Sequence, residues 1–151
     1  MKTMACAAIS GFVVVLWVSE PVSHGQTAKT RAPAFTQAQV TAGGAAYRQQ
    51  CASCHGSNLE GKPNWRKRLP NGRLPAPPHD ATGHTWHHSD KQLFDMTKIG
   101  PAGLVPGYQS DMPGFKDILS DADIWAVLSF IKNTWSLDIR ERQQRMTRGG
   151  Q

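Results

Sequence analysis

Cys51 and Cys54 stand two residues apart and His55 follows at once, in the stretch "CASCH". Two thiols at that spacing can form a local disulfide, a thioredoxin-like redox pair or half of a zinc site. Each of these needs a context that is missing here. No strand–helix–strand pattern surrounds the pair, and no second cysteine pair follows to complete a zinc ribbon. Cys-x-x-Cys-His is instead the attachment signature of a c-type haem, in which two sulfurs bond one porphyrin edge and the adjacent imidazole coordinates the iron. A second stretch, "PHDATGHTWHHSD" at 78–90, gathers His79, His84, His87 and His88. Histidines so dense could hold zinc or copper, could lend a ligand to haem iron, or could hydrogen-bond within a loop around the haem propionates. The last is the expectation.

The elements that must position these groups are helices. Residues 36–50, "TQAQVTAGGAAYRQQ", contain no proline and suit a helix on which Gly43, Tyr47 and Cys51 share one face. Residues 56–88 show no sustained period and read as loop. Ser89 with Gln92 forms a capping-box pattern, Leu93, Met96 and Ile99 give an apolar stripe, and Gly100-Pro101 stops that helix. Ser120 can cap a further helix, with Asp121 and Asp123 in its first turn and a face of Ile124, Val127, Leu128 and Ile131. No segment alternates well enough for a strand. Three short helices and a 33-residue loop bury little apolar surface alone, so something apolar must sit inside the loop. Covalent haem supplies it.

Composition bounds the rest. The chain has 151 residues, 39% hydrophobic and 19% charged, with a net charge of +6, which suits one ordinary domain. Lys2, the apolar run Ala5–Val18 and Ser23-His24-Gly25 read as a signal peptide over 1–25, cleaved before Gln26. The alternative is an uncleaved anchor in the inner membrane, although the run falls short of the roughly 20 residues that span a bilayer. Cleavage also removes Cys6 and leaves Cys51 and Cys54 alone. The expected organisation is signal peptide 1–25, lead-in 26–39, domain 40–135 and a basic tail 136–151, read as a solvated helix or frayed end. Nucleic acid is not an expected partner of an exported chain.

Over roughly residues 40–135 the chain resembles the class I cytochrome c family. Gly43, Tyr47, Cys51, Cys54 and His55 match its first helix and haem motif in order and spacing. "VLSFIKNTW" at 127–135 resembles its C-terminal helix, with Phe130 as the aromatic position packed across Gly43 and Tyr47. "PAPPHD", "GHTWHH" and "SDMPGF" resemble stretches of a bacterial branch of exported monohaem cytochromes. The resemblance implies an all-α fold, three main helices and long loops wrapped around one covalently attached haem c. It also implies that Met112, in the loop before the C-terminal helix, is the axial ligand opposite His55. Met96 belongs to a helical stripe and Met146 to the charged tail. One of Pro75, Pro77 and Pro78 is expected to accept the His55 proton through its carbonyl. Tyr108 and Trp86 are candidate donors to the propionates.

His/Met ligation closes the iron and favours the ferrous state. The expected function is therefore single-electron transfer in the periplasm, with no catalytic residues. Lys62, Arg66, Lys67, Arg68 and Arg73 form a basic run suited to docking an acidic redox partner such as an oxidase or dehydrogenase; a merely solvated face is the alternative. Two other functions stay open: a haem enzyme or gas sensor with an open iron, and a periplasmic copper-binding module built on the His79–His88 cluster.

Overall fold

The computed structural model describes residues 35–149. The expected signal peptide at 1–25, lead-in residues 26–34 and residues 150–151 lie outside the described residues. Among the described residues all regular structure is helical: α1 Gln37–Gln50, α2 Ala52–His55, a 3-10 turn Thr85–His87, α3 Asp90–Ile99, α4 Pro101–Leu104, α5 Asp121–Asn133 and α6 Leu137–Gly149. The all-α expectation holds. No described helix is long and apolar enough to cross a membrane.

Each long framework helix starts at a reciprocal cap. Thr36 with Gln39, Ser89 with Gln92 and Ser120 with Asp123 all form capping boxes, in which side chain and backbone satisfy each other's free N–H groups. Asp123 thus does more than face the positive helix end: its carboxylate accepts from the Ser120 N–H at 3.1 Å.

α1 crosses α5 at a glycine. A Cβ on Gly43 would lie 1.9 Å from the Ala126 carbonyl oxygen, so only the bare backbone permits the contact. Tyr47, one turn on, is fully buried and its ring lies 5.4 Å from that of Phe130. Phe130 also covers Gly44, whereas the Gly43 contact is with the α5 backbone itself. The expected α5 face is buried throughout, at Ile124, Val127, Leu128 and Ile131. The buried apolar side chains divide into two clusters. One joins Tyr47, Leu59, Val127, Ile131 and Trp135; the other joins Leu93, Ile124 and Leu128.

Three features differ from expectation. Ile99 is 46% exposed, and Thr97 is buried in its place. Six residues beyond Leu93 the helix has rotated about 120° off that face, while four residues returns close to it. The Thr97 hydroxyl tolerates burial by donating to the Leu93 carbonyl at 2.9 Å. Gly100-Pro101 ends α3, but Pro101 also opens α4, its missing N–H costing nothing at a first turn. The tail is an ordered helix, α6, packed against the 3-10 turn and α3. Gln143 is 1% exposed and its amide donates to the His88 carbonyl at 3.2 Å and to Asp90 at 2.6 Å. Asp90 also accepts from Lys132 at 2.5 Å, and its N–H donates to Thr147 at 3.0 Å.

Candidate functional site

α1 delivers the cysteine motif by running out at Cys51, whose N–H still bonds the Tyr47 carbonyl at 2.9 Å. The single turn α2 then carries Cys54 and His55, and Gly56 leaves it with a positive φ of 84°. Tyr47 braces the exit, its hydroxyl donating to the Gly56 carbonyl at 2.9 Å. Both thiols are free; Cys51 is partly buried and Cys54 exposed. Burial, then the neighbouring Cys54, pushes the Cys51 thiol up to about 11.

His55 points inward and is 7% exposed. Its Nδ1 lies 2.9 Å from the Pro77 carbonyl oxygen. A carbonyl only accepts, so Nδ1 carries the proton and Nε2 keeps its lone pair, the state an iron ligand requires. Pro77 is therefore the residue chosen among the three candidate prolines. Burial lowers the His55 pKa, the Pro77 bond partly offsets this, and the Lys62 charge lowers it further.

The Met112 loop is held against the end of α3. Phe115 N–H bonds the Thr97 carbonyl and Lys116 N–H bonds the Lys98 carbonyl, both at 3.0 Å. A Cβ on Gly114 would meet the Ile99 backbone at 2.6 Å, so this approach also depends on glycine. Met112 itself is half-buried and its N–H donates to Ser110 Oγ at 3.1 Å. Met96 packs against the Leu93 cluster and Met146 is 50% exposed on α6. Arg73 pairs with Asp111, tying the basic loop to the residue before Met112.

The four histidines do not converge. His79 turns inward and stacks on His55, ring centroids 4.1 Å apart and planes 20° apart. Stacked face to face at that distance, the two rings leave no space for a porphyrin between them, so His79 in this position would not pair with His55 on a haem. His84 stacks on Trp65 at 5.1 Å, and the Arg66 guanidinium lies 4.2 Å from the ring centroid of the same indole. His88 meets His84 edge-on at 5.4 Å, and His87 lies against Trp86 at 3.8 Å. Among the described residues no group of three or more His, Cys, Asp or Glu is placed to hold a metal ion. Burial first, and neighbouring positive charges second, hold His79 well below the ordinary histidine range. The same causes in the same order lower His84, while His88 is lowered by burial and His87 against a raising bond to Gln92.

The donor set fits a haem. Trp86 Nε1 is buried with no hydrogen-bond partner among the described residues. An indole N–H can only donate, and leaving one buried and unpaired costs about 1–3 kcal/mol. It needs an acceptor that the described residues do not supply, and a haem propionate is one. Tyr108, the other candidate donor, is half-buried, and its N–H bonds the Val105 carbonyl at 3.0 Å. Sequence reasoning missed Thr85 and Trp135 as organisers of the histidine loop. Thr85 is 5% exposed and its Oγ1 lies 2.8 Å from His79 Nδ1, while Trp135 Nε1 donates to the His79 carbonyl at 2.8 Å. The partners are 6 and 56 residues away, and no local pattern marks the second.

A family model described as "Cytochrome c" matches residues 40–135. No curated protein and no solved structure gives a significant match.

Proposed function

We infer the function from what this chain is: it belongs to the cytochrome c family. The family carries haem c with its iron, covalently attached, and Cys51 and Cys54 occupy the attachment positions of its motif. Its members are generally electron carriers.

In our reading Cys51 and Cys54 hold the haem through thioether bonds, His55 and Met112 ligate the iron, and the protein passes single electrons between redox partners in the periplasm. The haem iron supplies the chemistry, a one-electron cycle between ferric and ferrous states. The chain's residues do the rest. Pro77 fixes the tautomer and plane of His55, and the two backbone bonds from Phe115 and Lys116 hold the Met112 loop. Ligands held this way need not move when the electron arrives or leaves. The observation that carries the reading is the Nδ1–Pro77 bond, which leaves Nε2 its lone pair on the residue that follows the two free thiols in sequence.

An acidic redox protein is the partner we propose. Lys62 Nζ donates to the carbonyl of Ser53, between the two cysteines, at 3.2 Å. That places the basic loop beside the attachment edge. Arg66, Lys67 and Arg68 are exposed and form no ion pair among the described residues.

Met112→Ala tests the ligand set. It should abolish the thioether-to-ferric-iron charge-transfer band, lower the potential and let ferrous protein bind carbon monoxide. A variant that keeps the wild-type band would remove Met112 from the iron.

A further inference from the structure

His79 lies in contact with the proposed haem ligand His55 and is not one of the two ligands proposed for the iron. Its place is fixed from four sides. Its N–H donates to the Leu59 carbonyl at 2.8 Å, and its carbonyl accepts from Trp135 Nε1 at 2.8 Å. Its ring is held at Nδ1 by Thr85 Oγ1 at 2.8 Å, and its face lies on His55 at 4.1 Å. Leu59, Thr85 and Trp135 are 3%, 5% and 2% exposed, so these anchors belong to the buried interior.

The Pro77 hydrogen bond is a single contact at one edge of the His55 ring. One hydrogen bond fixes the tautomer but leaves the ring some freedom to rock about the line joining Nδ1 to its acceptor. A flat group lying 20° from parallel against the ring face opposes that motion. Ring plane matters because it sets how the imidazole π system overlaps the iron d orbitals, and outer contacts of this kind orient and tune a ligand.

We propose that His79 is a positioning residue that sets the plane of the His55 imidazole by face-to-face contact. The proposal rests on His55 being the haem ligand. The Pro77 carbonyl sets which nitrogen ligates, and His79 sets the angle at which it does so.

The test uses purified holoprotein with His79→Leu, which fills the volume without a flat face, and His79→Phe, which restores the face without the Thr85 bond. The readouts are the paramagnetically shifted haem-methyl proton resonances of the ferric protein, the reduction potential and the thermal midpoint. His79→Leu should redistribute the haem-methyl shifts and displace the potential, and His79→Phe should return the shift pattern towards wild type. A lower midpoint in His79→Leu with wild-type shifts and potential would make His79 structural only and overturn the proposal. Should the leucine variant not fold, ferrous wild-type protein decides: nuclear Overhauser contacts between the His55 and His79 ring protons are required, and their absence refutes the stack. A wild-type ferric spectrum that is not low-spin would instead sink the ligand assignment, and the proposal with it.

Discussion

Replacing Gly43 with alanine should destabilise the protein, although helix propensity alone says the reverse. Alanine is favoured over glycine inside a helix by roughly 0.5–1 kcal/mol. The new Cβ, however, would lie 1.9 Å from the Ala126 carbonyl oxygen, 2.3 Å from its carbon and 2.9 Å from Val127 N. All three are α5 backbone, so no side-chain rotation relieves the clash. Restoring an ordinary contact of 3.4 Å needs α1 and α5 to part by about 1.5 Å, and a gap of 0.5–1 Å already forfeits a quarter to a half of each van der Waals well. Overpacking of this kind costs about 3 kcal/mol at the upper end of its usual range. The net loss is then about 2 kcal/mol or more, equivalent to roughly 10 °C in thermal midpoint for a domain of this size. Urea and thermal unfolding of holoprotein, followed by far-ultraviolet circular dichroism, measure it. Gly44→Ala is the control, because its Cβ would meet side chains rather than backbone, Phe130 ring carbons at 3.2 Å and the Arg48 guanidinium at 3.4 Å, and these can shift. A Gly43→Ala midpoint equal to or above wild type would refute the helix contact.

Two further outcomes follow from the charges. His84 and His88 have folded pKa values below the ordinary 6.5, so the unfolded chain binds more protons between those values and 6.5. Stability is full above 6.5 and falls as pH drops through that window; the urea midpoint should decline from pH 7.5 to 5.5, less so in a His84→Gln, His88→Gln double variant, and an unchanged slope would contradict the assignment. Reversing Arg66, Lys67 and Arg68 to glutamate should slow electron transfer to an acidic partner several-fold at low salt, and the wild-type rate should fall as the Debye length shortens to about 10 Å near 0.1 M; stopped-flow rates that are flat in salt would restore a merely solvated loop.

What the sequence made legible was local. The cysteine motif, the Ser89–Gln92 cap and the α5 face are patterns a few residues long, and each appears as read. Gly43 was legible because a family resemblance put it on the face of the first helix that the C-terminal helix packs across. The histidine loop was legible in content but not arrangement. The density of His79, His84, His87 and His88 left a shared metal as one alternative to the expected loop hydrogen bonding and did not say which ring meets which neighbour: one faces His55, another lies under Trp65 and a third lies against Trp86. Side-chain direction in a loop with no period depends on distant anchors such as Trp135. α6 was hidden for a similar reason. Its charged composition reads as solvated, and what holds it is a buried Gln143 bonded to Asp90 across 53 residues.

The most direct measurement is the absorption spectrum of purified holoprotein, oxidised and reduced, with and without carbon monoxide. A closed His55/Met112 iron predicts a low-spin spectrum in both states, the thioether charge-transfer band in the ferric protein, and a ferrous spectrum that carbon monoxide leaves unchanged. Rapid carbon monoxide binding by wild-type protein would contradict the electron-carrier account and give the iron an open position.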